Sequence, residues 1–203
     1  MEILRLLAER RAYRYLSSEP LPSGAARRIV EAGTLSPSCF NNQPWRIVAA
    51  GKQDGSDDTD GDAALEALKA TLSDGNAWAK AAPLIIAIAV RASDDCRMDD
   101  GRDYALFDAG LCAMGMIVQA SSEGLVAHPI AGYNPKKAKS ALGIPSDYVL
   151  ATLIIVARRK AGDAEDDPVL STSQKASEKG PRSRKPLVDV ASFGRWDLPG
   201  PGV

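Results

Sequence analysis

The chain has 203 residues, 45% of them hydrophobic and 25% charged, with 25 Lys plus Arg against 26 Asp plus Glu. Such a composition predicts one soluble globular domain over residues 1–203, large enough to bury roughly 70% of the surface its unfolded chain exposes. A net charge of −1 argues against a polyanion held by bulk charge, so no nucleic-acid partner is expected.

The cysteines at 39, 96 and 112 are odd in number and widely spaced, and with the lone His128 they form no C-x-x-C pattern. They predict neither a disulfide framework nor a metal site, and they fit a reducing cytoplasm. Glu2, Arg5 and Glu9 interrupt the first apolar residues, unlike a secretory leader. The longest apolar stretch, 109–118, falls short of the ~20 residues of a bilayer span, so no membrane partner is expected.

In chain order, Ile3, Leu4, Leu6 and Leu7 predict a helix that ends at the charged run Glu9-Arg10-Arg11. Pro20 and Pro22 punctuate the chain. Ser23 is then placed to cap a helix whose apolar face is Ala26, Ile29, Val30 and Gly33. A polar loop through Asn41-Asn42-Gln43-Pro44 leads to a short strand, Arg46 to Ala50. The stretch 51–62 reads as an exposed acidic loop, and Ala63 to about Leu72 as a helix. Leu84 to Val90, rich in Ile and Val, predicts a strand buried on both faces. Residues 91–103 read as a second polar loop.

Tyr104 to Glu123 is the most hydrophobic helix, apolar enough all round to need a large core or a partner subunit. Asn134-Pro135 starts a short helix that Leu142-Gly143 stops. Tyr148 to Ala157 predicts the last strong strand. From 158 onward the chain reads as an extended, polar C-terminal segment that returns to order near Pro186. Helices and strands mix without βαβ alternation, so the predicted class is α+β.

Four clusters could carry chemistry. Arg10 and Arg14, four residues apart, read either as a solvated basic face or as forked donors converging on a phosphate. The run Pro37-Ser38-Cys39-Phe40-Asn41-Asn42-Gln43-Pro44-Trp45 offers hydroxyl, amides and an indole to a planar polar heterocycle, or satisfies only its own backbone. Gly124 to Gly132 could bring backbone close to a ligand, and its His128 reads as structural rather than catalytic. Arg182-Ser183-Arg184-Lys185 is a distant basic cluster or a solvated tail. There is no G-x-S-x-G elbow and no phosphate-binding G-x-x-x-x-G-K-[ST] loop.

Taken in order, these pieces resemble the nitroreductase family of flavoproteins. An R-x-x-x-R element fits Arg10 to Arg14, and P-S-x-x-N-x-Q-P-W fits residues 37–45. G-L-x-x-x-P-I-x-G fits Gly124 to Gly132, L-G-I-P fits Leu142 to Pro145, and R-x-R fits Arg182 and Arg184. The resemblance implies a central, mainly antiparallel sheet flanked by helices, in an intertwined homodimer with FMN at the subunit interfaces. It implies FMN phosphate binding by Arg10, Arg14, Arg182 and Arg184, with Arg11 and Ala12 nearby. Asn41 and Gln43 would bond the isoalloxazine ring. Pro37, Ser38 and Cys39 would line the site, Ser38 and Cys39 from the partner subunit. Pro129, Ile130, Ala131 and Gly132 would pass over one ring face.

The implied activity is ping-pong hydride transfer from NADH or NADPH through FMN to a nitroaromatic, quinone or similar small aromatic acceptor, with no catalytic side chain of its own. The alternatives are a related flavoenzyme of other reaction (dehalogenation or flavin cleavage) and a non-catalytic flavin carrier. Ala131 stands where well-known members carry Glu, so any role of that carboxylate is lost here.

Overall fold

Seven consecutive buried residues, Leu84–Val90, form the strand β2 around which the chain is arranged. The computed structural model describes residues 3–51 and 59–198. In it β1 (Arg46–Gly51), β2, β3 (Val126–Ile130) and β4 (Val149–Ala157) make one antiparallel sheet in the order β1-β2-β4-β3. Ile85 pairs with Ile155 and Ile86 with Ile154, and a bulge interrupts the register between Ile88 and Ala89.

Because side chains alternate along a strand, this register sorts the branched residues onto two faces. Ile85, Ala87, Leu153 and Ile155 pack with Trp78 and with Leu65 and Leu68 of α3 (Thr59–Lys69). Ile86, Ile88, Ile154 and Val156 pack against α2 (Ala25–Thr34) and α4 (Ala105–Ser122). The predicted α+β class and antiparallel sheet are therefore the observed architecture.

The α2–α4 crossing is set by two glycines. A Cβ on Gly115 would lie 2.8 Å from the Ala32 carbonyl oxygen, and one on Gly33 2.6 Å from Cε of Met116. Only hydrogen side chains let the helices approach this closely. By length and composition alone α4 could cross a bilayer, with mean hydropathy 1.3 over 18 residues, a wider apolar window than 109–118 suggests. Here it lies instead against α2 and the sheet. Its Leu106, Phe107 and Met114 remain exposed.

Several boundaries differ from expectation. Ser23 does not cap α2: Gly24, at φ 69°, holds the N-cap position with no side-chain bond. The helix expected from Ala63 begins at Thr59; residues 52–58 of the expected acidic loop lie outside the described residues. Within 91–103 the chain makes a short 3-10 turn at Ala92–Asp94 and an Arg97–Asp103 bridge. Residues expected only as a glycine-bounded turn contain β3. The expected polar excursion contains α6 (Thr172–Lys179). α1 (Ile3–Glu9) and α5 (Pro135–Ala141) stand where the sequence predicts them, α5 with Asn134 accepting from the Lys137 N–H.

Candidate functional site

α1 ends at Glu9, and the Arg10 N–H still reaches the Leu6 carbonyl at 2.9 Å. Beyond it the chain extends alongside the continuation of β4. Ser17 N–H donates to Arg158 O, and Lys160 N–H to Tyr15 O, both at 3.0 Å. This pairing, rather than a helical i, i+4 spacing, fixes where Arg11 to Arg14 point. From the other end of the chain, α6 starts with a capping box between Ser171 and Gln174. Its last turn places a Glu178 oxygen 2.7 Å from the Arg14 N–H, and the Ser177 carbonyl 2.7 Å from Arg11 Nη2. Arg182 then donates to the Leu7 carbonyl at 2.6 Å and to that of Ala8, satisfying carbonyls that the end of α1 leaves open.

The result is a cavity of about 380 Å³ lined by residues 10–14, 177–178 and 180–184. The structure thus brings together two basic clusters about 170 residues apart. Burial lowers the proton affinity of the Arg10 guanidinium, and Arg182 and Arg184 lower it further. Arg182 is likewise lowered by burial, then by Arg184 and Arg11. Five guanidinium groups share the cavity with the one carboxylate of Glu178, and the excess positive charge favours a multivalent anion with forked acceptors.

Two buried atoms lack hydrogen-bond partners here, Nε of Arg182 and Oε2 of Glu178. One is a donor and the other an acceptor. A sugar phosphate or its equivalent, offering phosphate oxygens and hydroxyls, fits both.

His128, on β3, supports this cavity from beneath. Its Nδ1 is 3.1 Å from the Tyr13 carbonyl oxygen, and its ring stacks on Trp78 with centroids 4.6 Å apart. Burial pushes its pKa down to about 4; the Tyr13 bond opposes this, and Arg14 and Arg10 add to it. The ring is therefore neutral at pH 7, with Nδ1–H donating to Tyr13. His128 positions the 11–14 segment.

The loop 37–45 is held elsewhere, at the start of α4. The Cys39 N–H donates to the buried Asp108 carboxylate at 2.7 Å, and Ser38 Oγ accepts from the Gln43 N–H at 2.9 Å. Phe40, Asn41 and Gln43 take φ values of 46°, 58° and 48°. Left-handed backbone at non-glycine residues costs of order 1–3 kcal/mol each and clusters at ligand-binding sites. Asn41 and Gln43 are exposed, and Phe40 is 89% exposed. None of these loop residues, nor Pro37, lines the arginine cavity of the same chain.

The segment 129–132 spans the end of β3 and the two residues after it. Pro129 faces outward from edge strand β3, where a missing N–H is tolerated, but Ile130 is buried in the core. Ala131 is exposed. The Gly132 carbonyl accepts from Ser73 Oγ at 2.8 Å and Asn76 Nδ2 at 2.9 Å, and a Cβ there would come 2.4 Å from Asn76 Nδ2. A side chain at 132 would have to displace the Asn76 and Ser73 side chains.

Sequence reasoning missed Glu178 and α6 altogether. The S-x-x-Q spacing of Ser171 and Gln174 is the signal that could have found them.

Against known proteins, the nitroreductase family model matches residues 7–158. The chain belongs to the nitroreductase family. An uncharacterised 15.4 kDa protein of the ask 5′ region of Mycolicibacterium smegmatis is 31% identical over 151 residues, covering 73% of this chain and 94% of that protein. An NADH dehydrogenase of Thermus thermophilus is 23% identical over 176 residues, covering 72% of this chain and 81% of its own. Among solved structures, an oxidoreductase containing FMN superposes with a TM-score of 0.75 at 26% identity, over 95% of this chain and 92% of that one. The nitroreductase match includes Arg10 to Arg14, the 37–45 loop and β3. It stops before α6, Arg182 and Arg184, the C-terminal wall of the cavity.

Proposed function

We propose that this nitroreductase-family chain is an FMN-dependent oxidoreductase that takes reducing equivalents from NADH or NADPH and passes them to a small aromatic acceptor, a nitroaromatic or quinone. The observation that carries this reading is the cavity where Arg10, Arg11, Arg14, Arg182 and Arg184 meet with a buried, partnerless Arg182 Nε. The named FMN of the structural neighbour and the named NADH of the Thermus relative support it. Bound FMN would supply the redox chemistry, accepting a hydride and returning electrons to the acceptor.

This chain's residues would bind and orient. Arg10, Arg14, Arg182 and Arg184 hold the phosphate, with Arg11 and Ala12 beside it. Asn41 and Gln43 would offer amides to the ring edge, with Pro37 lining the site and Ser38 and Cys39 closing it from a second copy. Pro129, Ile130, Ala131 and Gly132 would pass over one ring face, offering backbone and the Ala131 methyl, since the Ile130 side chain is turned into the core. No side chain is assigned as general acid or base. We place the active unit as a homodimer in the cytoplasm, where nicotinamide reductants and free thiols coexist.

An anaerobic titration tests the reading. Bound flavin should bleach with NADH or NADPH and recover its colour with a nitroaromatic or a quinone. A flavin-loaded protein that neither nicotinamide reduces would be a carrier or another kind of flavoenzyme. A chain that takes up no FMN would end the proposal.

A further inference from the structure

Folding brings Cys39 and Cys96, 57 positions apart in sequence, into one cluster at the base of the 37–45 loop. A ligand atom from each of Cys39, Asp95 and Cys96 lies within 4.8 Å of the other two. Oδ2 of Asp95 is buried without a hydrogen-bond partner. Its other oxygen accepts from the Cys96 N–H at 2.8 Å and from Asn42 Nδ2 at 3.2 Å. Asn42 Nδ2 also lies 3.4 Å from Cys96 Sγ. Asp108, 1% exposed, approaches from α4, holding the Cys39 N–H.

Two thiols and two carboxylates therefore crowd together.

We propose that Cys39, Asp95 and Cys96 form a binding site for a zinc-type divalent cation. Two sulfurs with a carboxylate suit a borderline-soft ion that prefers four-coordinate geometry, and disfavour magnesium or calcium, which take oxygen alone. Binding exchanges two thiol protons for the metal, releasing both to solvent, and leaves a net charge of −1 on the metal with its two thiolates and one carboxylate. Water completes the fourth position. Asp108 orients Cys39 through its backbone N–H, and Asn42 does the same for Asp95 and Cys96 through its amide. Cys96 is partly exposed, which gives the ion a path in. A cation there ties the left-handed Phe40–Asn41 turn to the 95–96 segment. The proposal stands whether or not flavin binds.

The test uses the full chain as purified, dialysed against buffered zinc and assayed by elemental analysis and zinc-edge X-ray absorption. One zinc per chain is expected, with two sulfur neighbours at about 2.3 Å and oxygen at about 2.0–2.2 Å. Cys96→Ser and Asp95→Asn should each weaken zinc by at least about tenfold while keeping a cooperative thermal transition. No zinc on the wild-type chain, an edge with oxygen and nitrogen neighbours only, or equal affinity in Cys96→Ser would overturn the site. If a variant fails to fold, the sulfur count on the wild-type chain decides alone.

Discussion

The imidazole of His128 lies between the Trp78 ring and the Tyr13 carbonyl, so folding lowers its affinity for protons. Unfolded, it would protonate near 6.5; folded, near 4. Its contribution is complete above pH 6.5 and is lost progressively as pH falls towards 4, because only the unfolded chain gains the proton. That gap corresponds to about 3 kcal/mol. Urea denaturation at pH 7 and pH 4.5 should show the wild type losing about 2–3 kcal/mol more than His128→Gln over that interval. Equal losses would mean that His128 is not held neutral.

The cavity arginines should separate by their contacts. Arg184 is exposed and its Nη1 bonds the neighbouring Ser183 carbonyl. Arg184→Ala should weaken FMN about tenfold or more, leave riboflavin affinity unchanged and leave the melting temperature in place. Arg182 also holds α1 through the Leu7 and Ala8 carbonyls. Arg182→Ala should therefore weaken FMN and lower stability by about 1–3 kcal/mol. Both measurements need only flavin fluorescence and a thermal melt.

Between elements, the α2–α4 crossing leaves no room for a methyl group at position 115. Its nearest neighbours would be the Ala32 carbonyl, Ser36 Oγ at 2.9 Å and Gly33 Cα at 3.3 Å, two of them backbone. Gly115→Ala should destabilise by about 1–3 kcal/mol, seen as a melting point lower by several degrees. A subtler case is α6. Ser171→Ala removes a cap contributing about 0.5–2 kcal/mol. Hydrogen exchange should quicken over 172–179, and FMN affinity should fall, because α6 carries Glu178 to the Arg14 amide.

What could be read from the sequence follows how local each signal is. β2 is visible because seven apolar residues stand between Pro83 and Arg91, and α5 because Asn134, Pro135 and Gly143 mark both ends. β3 is hidden by His128 and Pro129, which break the apolar run; only its edge position makes that proline acceptable. α6 has no apolar period and shows only in its cap. The convergence of Arg10 and Arg182 depends on the paired 15–17 and 158–160 segments. No window of sequence contains both, so composition alone left each cluster open to a solvated reading. The family resemblance linked them, and the structure supplies the shared cavity.

At the scale of the whole molecule, large apolar side chains among the described residues stay exposed on several elements, α4 and the C-terminal segment included. Leu106, Phe107 and Met114 of α4 stay exposed, as does Phe40 on the loop that α4 anchors. Phe193 and Trp196, near the C-terminus, are over 80% exposed. A second copy of the chain covering them would bury on the order of 2,000 Å² or more, as obligate dimers do. Sedimentation should find dimers at all working concentrations. Phe107→Glu should give monomers that have lost their flavin. A stable flavin-loaded wild-type monomer would contradict this.

The Arg182 contacts to the α1 carbonyls also set an order of events during synthesis. When Leu7 and Ala8 leave the ribosome, their partner at 182 has not yet been translated. At about 5–20 residues per second, the wait is on the order of 10–30 s. Throughout that time α1 ends in open carbonyls, and the N-terminal arginines face no opposite wall. The anion site thus cannot close until Arg182 has emerged, and capture of its ligand belongs after that point.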